Sequence, residues 1–293
     1  MKIPSPLAFL AAGLLSATVA QSQIFVYNFN DNASGTTTVS TGSNTATATI
    51  RNASNVATNL RGASGSGVSG LSGDYAFDNA AASTGMGSLG TGGYASTASI
   101  GTVMDSTTSF TLSGWMNPQT QISSGARIIE QFNTGTSYWR LSSDTAGRLS
   151  LAMATPTMSS ASITSPAGSA YSGTGQWTFF AVTYDGTIAS NNVKFYVGGT
   201  NSAASLVGTV TLNGGTLGIN TAGLAMGGGP TRPMDALLDN LRIDRVTSGA
   251  SGALSLAQLE TIRYSAIPEP SVLLLIALPI GLGFVLRRKR FTA

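Results

Sequence analysis

The chain has neither cysteine nor histidine in 293 residues. Without disulfides an exported domain must rest on its own apolar core, which a chain of this length can supply. The same two absences remove cysteine nucleophiles, Ser-His-Asp triads and zinc sites built on Cys or His. Charge is scarce as well: Asp, Glu, Lys and Arg make up 9% of residues, against about 25% in ordinary soluble domains. Ser, Thr, Gly, Ala and Asn take their place, a composition that disfavours helices and suits short strands joined by many turns. The formal charge of +3 comes from the ends of the chain. Setting aside Lys2, Arg287, Arg288, Lys289, Arg290 and Glu269 leaves 10 basic and 11 acidic residues. The body therefore stands near −1 and offers no basic footprint for nucleic acid. Glutamate occurs only as Glu130, Glu260 and Glu269.

The two ends read as addresses. Lys2, an apolar core at 7–15 and the small residues before Gln21 have the form of a signal peptide over 1–20, cut between Ala20 and Gln21. The other reading is an uncleaved anchor, for which the apolar core is short. At the far end Pro268-Glu269-Pro270 breaks the chain, residues 272–286 are apolar, and Arg287, Arg288, Lys289 and Arg290 form a basic cluster. At ~1.5 Å per residue the apolar run reaches about 22 Å, short of a ~30 Å hydrocarbon core. The basic cluster favours the cytoplasmic side, which leaves the body outside. This arrangement over 267–293 resembles the PEP-CTERM sorting signal: a Pro-Glu-Pro motif, a short transmembrane helix and an arginine-rich end. The resemblance implies an exosortase, a membrane protease-transpeptidase of Gram-negative bacteria, as partner. It also implies transient anchoring in the inner membrane before release to the cell surface, outer envelope or extracellular matrix. An ordinary tail anchor is the plainer alternative.

Between the ends lies one domain, 21–266. Its centre is residues 176–199, QWTFFAVTYDGTIASNNVKFYVGG. Trp177, Phe179 and Ala181 share one parity and Phe180, Val182 and Tyr184 the other, so this strand is apolar on both faces and must be covered on both. Asp185-Gly186 supplies turn chemistry, and 193–197 returns as the second arm of a hairpin. Further strands are expected at 24–30, 45–51, 74–78, 109–118, 127–132, 137–142, 148–153, 207–212, 224–226 and 234–245. Asn213-Gly214 is a hairpin signal. Residues 31–73 are low in complexity and are read as weakly patterned strands and loops inside the domain rather than as a linker. A closing helix is expected at 255–264, where Ser255 and Gln258 have capping-box spacing and Leu254 and Leu259 hold the staple positions. Regular short strands between Gly, Ser, Asn and Asp turns predict an all-β, two-sheet antiparallel sandwich.

The segments VYNFND, DYAFDN, SFTLSGWMNP, QWTFFAVTYDG with VKFYVGG, and MDALLDNLRIDRV followed by SLAQLETI resemble the laminin-G-like, concanavalin A-like jelly-roll family. That fold hosts lectins, adhesion modules, carbohydrate-binding modules and some glycosidases. Jelly-roll glucanases carry a Glu-x-Asp-x-x-Glu type spacing on one strand, which this chain lacks. Glycoside hydrolysis needs two carboxylates about 5 to 9.5 Å apart, and Glu130 has only a distant Asp to pair with, so no catalytic residue is assigned. Asp239 shares the parity of Leu237, Leu241 and Ile243 and is therefore expected to be buried; a buried carboxylate must be paired, hydrogen-bonded or metal-bound. The resemblance implies calcium as a possible cofactor, with Asp239, Asn240 and Asp78 as ligands; the structural alternative is that Asp239 accepts backbone N–H groups. Sugar rings stack on aromatic faces, which makes Tyr138, Trp139 and Tyr171 candidate readers, with core packing the competing use of Trp139. The expectation is a non-enzymatic carbohydrate-binding or adhesion module, whose partner is an extracellular polysaccharide or surface glycoconjugate. The alternative is a structural envelope protein without a sugar ligand.

Overall fold

The computed structural model describes residues 23–79, 92–120, 125–131, 138–143, 147–155, 158–165, 174–212, 214–228 and 232–268, with backbone alone over 158–163. In chain order the strands begin with β1 (Gln23–Tyr27), β2 (Thr37–Val39), β3 (Thr47–Arg51), β4 (Phe77–Asp78), β5 (Tyr94–Thr97), β6 (Ser109–Pro118), β7 (Ala126–Gln131) and β8 (Tyr138–Ser143). They continue with β9 (Leu149–Thr155), β10 (Met158–Thr164), β11 (Thr178–Asp185), β12 (Val193–Gly199), β13 (Ser205–Val210), β14 (Ala225–Met226) and β15 (Ala236–Val246), and the chain closes with α1 (Leu256–Ser265). Two antiparallel sheets result. Sheet A has the order β1-β15-β6-β11-β12-β13, with β4 on β15; sheet B has the order β10-β9-β8-β7-β14-β5-β3-β2.

The core lies between the sheets, and β11 shows why. Phe180, Val182 and Tyr184 point into it beside Phe110, Leu112, Phe195 and Trp139, while Phe179 and Ala181 point the other way. Each fully buried side chain of this size contributes about 1.5–3 kcal/mol, so a strand apolar on both parities is stable only with a layer on each side. The second layer is α1. Leu254 and Leu259 pack with Trp115, Phe179, Ala181 and Tyr196 on the outer face of sheet A. Ser255 accepts the Gln258 N–H through its hydroxyl, and Gln258 Oε1 accepts the Ser255 N–H at 2.9 Å, the expected capping box. The helix begins one residue later than its cap. Glu260 and Arg263 pin it to sheet A: Arg263 donates to Gly199 O at 2.6 Å and Glu260 accepts the Ala204 N–H at 2.8 Å.

The low-complexity stretch is part of the domain, organised by one buried cation. The Arg61 guanidinium donates to the carbonyls of Phe29, Gly35, Asp31 and Thr37 at 2.7–2.9 Å. Its side chain is 1% exposed. Between β3 and β4 the chain makes only isolated bridges, Ala57 to Arg51 and Arg61 to Phe77.

Other departures from expectation are β2, β5 and β10, whose Thr, Ser and Ala give no apolar alternation and which take their register from β3 and β9. The expected hairpin at Asn213-Gly214 does not form as read: Asn213 lies outside the described residues, and β13 is a sheet edge while β14 belongs to sheet B. Instead Tyr184 holds the crossing chain, its hydroxyl accepting the Gly215 N–H and donating to Gly215 O, both at 2.8 Å. Among the described residues no helix is long and apolar enough to cross a membrane. The signal segment with Ala20 and Gln21, the apolar run at 272–286 and Arg287, Arg288, Lys289 and Arg290 lie outside the described residues.

Candidate functional site

The two outer faces of the sandwich differ. That of sheet A is covered by α1 and by the loop around Val68. Among the described residues no helix covers that of sheet B. Its outward side chains follow from their inward neighbours Ala48, Ile50, Ala95, Met226, Ile129, Leu141, Leu151 and Met153. One row runs straight across seven strands through cross-strand pairs: Thr37, Thr49, Ser96, Ala225, Glu130, Arg140 and Ala152. At ~4.8 Å between strands it is about 30 Å long. Small side chains on either side of Glu130 and Arg140, the fifth and sixth positions, give the row the form of a shallow trough, in which Glu130 and Ala152 are themselves buried. Tyr138 shares this face two residues from Arg140, and Tyr94 lies two residues from Ser96.

A backbone irregularity concentrates charge at that centre. Residues 127 and 130 of a regular strand point to opposite faces. Here the β7–β8 register shifts between Arg127 and Ile129, and Ile128 and Ile129 are both in the core. Arg127 and Glu130 consequently share the outer face, 2.6 Å apart. Arg232 joins them: its carbonyl accepts the Arg127 N–H at 3.3 Å, and its guanidinium lies over Gly125. Gly125 has φ +76, and a Cβ there would meet Arg232 Nη1 at 2.6 Å. Glu130 is 4% exposed, and its Oε2 has no hydrogen-bond partner. Burial pushes its pKa up, opposed by Arg127, Arg140 and Arg232. Burial likewise lowers that of Arg140, helped by Arg127 and opposed by Glu130. No second carboxylate acts on Glu130 among the described residues.

The sequence-derived candidates fall elsewhere. Asp239 is fully buried, but on the opposite face from the one its parity implied. The β15–β6 register shifts between Asp239 and Arg242, with Asn240 at φ +48. Leu238, Leu241 and Ile243 face the core while Asp239, opposite Trp115, faces outward under the Val68 loop. Its Oδ2 accepts the Val68 N–H at 2.9 Å and its Oδ1 the Asn240 N–H at 2.7 Å. Burial raises its pKa to about 8, against the two backbone donors and with help from Asp74. Both carboxyl oxygens thus receive backbone N–H groups, one from the loop and one from the strand itself. Asp78 pairs with Leu237 on the neighbouring strand. Among the described residues no three acidic groups come together as a metal site. Trp139 is 1% exposed and packs on Phe110 in the core, so the packing use holds and it cannot stack on a ligand. Tyr171, Glu269 and Pro270 lie outside the described residues, and Pro268 follows α1 directly. Arg127, Arg140 and Arg232 went unread because no periodicity ties them together. The paired Ile128-Ile129 beside Glu130 is the one local sign of the irregularity.

A separate groove of about 850 Å³ opens beside β11 and the β12–β13 turn, lined by Trp177, Thr178, Val197, Asn201, Ser202 and Val207. It has no ionisable lining residue.

The sandwich, its covered and uncovered faces and its order of strands define a lectin-type jelly roll. The chain belongs to the concanavalin A-like lectin/glucanases superfamily, whose laminin G-type model matches residues 89–251, more than half its length. Similar solved structures include domain 4 of AbnA, a GH43 extracellular arabinanase from Geobacillus stearothermophilus in complex with arabinotriose. It is 17% identical with a TM-score of 0.55, covering 82% of this chain and 98% of that one. The binding domain of botulinum neurotoxin DC in complex with rat synaptotagmin II is 13% identical with a TM-score of 0.52, covering 84% and 52%. The serotype G binding domain is 12% identical with a TM-score of 0.52, covering 83% and 50%. This chain thus spans about half the length of the neurotoxin domains. No curated protein matches it in sequence.

Proposed function

We propose that the protein is a non-catalytic glycan-binding or adhesion module displayed outside the cell, with the outer face of sheet B as its glycan surface. The observation that supports this reading is the row of small side chains across the outer face of sheet B, about 30 Å long, over which no helix lies among the described residues, with Glu130 and Arg140 as its charged members. The arabinanase domain of like fold holds an arabinose trisaccharide, which agrees with it. Among the described residues no second carboxylate acts on Glu130, which supports binding over hydrolysis, since hydrolysis needs two carboxylates. Display fits the architecture as well. Ile267 packs against the outer face of sheet A after α1, so the described chain ends at Pro268 on the side of the sandwich away from sheet B. A tail sorted by an exosortase would then tether the module with its glycan surface away from the membrane.

The test is calorimetry against a panel of neutral and acidic soluble polysaccharides. Ala225 lies in the row between Ser96 and Glu130. Ala225→Trp, which fills the trough, is expected to weaken binding at least about tenfold, the loss of roughly one good contact. Leu206→Ala, on the exposed edge of sheet A, should leave it unchanged. Binding indifferent to Ala225→Trp would remove this face from the function.

One observation favours the second reading, a structural envelope protein. No tryptophan stands on this face: Trp115 and Trp139 are buried and Trp177 packs against the cluster under α1. Silence of the whole panel would support that reading.

A further inference from the structure

Sheet A has two edges, β1 and β13, and the chain treats them differently. Along β1 the carbonyls of Val26 and Ile24 accept the N–H groups of Thr41 and Asn44, and the Ser40 hydroxyl accepts the Val26 N–H. Along β13 no such closure is found among the described residues, where its one strand partner is β12. We infer that β13 is a self-association edge, at which a second copy of this chain adds its own β13 antiparallel and extends sheet A through both copies.

The chemistry of the strand is the first ground. A bare edge is a template for another strand, and soluble proteins guard such edges with charge or proline. β13 reads SLVGTV, and no Asp, Glu, Lys or Arg occurs from 195 to 231. Leu206 is 48% exposed. The ion pair nearest the strand, Glu260 with Arg263, is bonded to the β12–β13 turn at Ala204 and Gly199. Lys194 stands one strand in, opposite Thr209.

The second ground is register. Asp185 donates to Asn192 O, and alternation along β12 then turns the backbone groups of Val193, Phe195 and Val197 toward β13. Their partners there are Val210, Gly208 and Ser205, so the groups of Leu206 and Thr209 are directed outward. The shift between Phe195 and Tyr196 is what gives Leu206 and Thr209 this common orientation. An antiparallel twofold between Val207 and Gly208 sets Leu206 opposite Thr209 of the partner subunit, and Thr209 opposite Leu206 of the partner subunit. Each copy offers the groups the other can bond, the self-matching that an isologous contact requires. Leu206 and Thr209 pair with Tyr196 and Lys194 and so lie on the outer face of sheet A, which makes the twofold perpendicular to the sheet. The two sheet B faces then look the same way, and the described chain ends at Pro268 look the other. The contact itself does not depend on whether sheet B binds glycan.

The test is sedimentation equilibrium of the full chain in density-matched mild detergent, with a reversible monomer–dimer equilibrium expected. Leu206→Lys sets like charges on the pairing edge and should weaken the dimer at least about tenfold. Thr209→Pro removes an outward N–H from each copy and should do the same. Leu256→Lys, at an exposed leucine of α1, should leave the equilibrium unchanged. Because Leu206 is exposed, the melt of Leu206→Lys should match that of the parent, so its result stands even if the proline variant folds poorly. Association through the apolar tail would be indifferent to all three substitutions. A parent chain that stays monomeric up to about 100 μM, a dimer that Leu206→Lys leaves intact, or one that Leu256→Lys weakens as much, overturns the inference.

Discussion

Asp239→Asn isolates a carboxyl whose proton burial favours. Its pKa rises from 3.8 to about 8, first through burial. Below about pH 4 the folded and unfolded chains both carry its proton. As the pH rises from there to about 8, the folded chain keeps a proton that the unfolded chain releases, so stability falls with pH through that window. At ~1.4 kcal/mol per pH unit, some three units below neutrality cost on the order of 4 kcal/mol. The asparagine amide removes this linkage and exacts a different, constant cost. Only its carbonyl oxygen accepts, so one of the two N–H groups, of Val68 or Asn240, loses its partner, worth about 1–3 kcal/mol. The variant should therefore be less stable than the parent near pH 4.5 and more stable near pH 7.5, with the curves crossing between. Urea unfolding of both chains at several pH values reads this directly, because every other titrating group cancels in the difference. A difference that stays constant from pH 4.5 to 7.5 would refute the reasoning.

Arg61→Met removes the donor shared by four carbonyls; a cost of about 3–5 kcal/mol is expected, and a fall in the urea m-value would show residues 29–61 loosening together. Ser255→Ala deletes the cap of α1 and should cost about 1 kcal/mol in chemical denaturation, with no effect on the sheet B surface. EDTA and millimolar calcium are expected to leave the melting temperature unchanged, since both oxygens of Asp239 already receive backbone N–H groups. A calcium-dependent shift abolished in Asp239→Ala would place a metal there after all.

The elements legible in the sequence were those whose own side chains dictate their surroundings. β11 is apolar on both parities and had to be central, and β6 sets Phe110, Leu112 and Met116 on one face. Ser255, Gln258, Leu254 and Leu259 encode the helix start within a few residues. β2, β5 and β10 were not legible, because their Thr, Ser and Ala set no apolar alternation and their pairing is decided by the edge a neighbour presents. The Asn213-Gly214 signal was misread for a related cause: a turn dipeptide says that the chain bends, while the destination is set by distant contacts, here the Tyr184 hydroxyl on Gly215.

Both charged features of this protein depend on the same device. A strand of perfect alternation assigns each residue a face, and a parity argument then extends along its whole length. One extra residue breaks that assignment. In β15 the irregularity past Asp239 turns its carboxyl away from the core face that Leu241 and Ile243 occupy and beneath the Val68 loop. In β7 the irregularity at Ile128 turns Arg127 onto the face of Glu130. The first buries a carboxyl where backbone donors can hold it. The second gathers charge on the open face of a chain that has almost none to spare. Removing the extra residue at either position would restore regular alternation while leaving composition and apolar content nearly the same. Deleting Ile128 should thus remove the irregularity and leave Arg127 and Glu130 two residues apart, on the same face of a regular strand with their ion pair kept. The price is one buried isoleucine, about 1.5–3 kcal/mol of burial, and the fold of sheet B tolerates the loss only if β7 re-forms a regular ladder with β8, which circular dichroism and a thermal melt would report alongside binding.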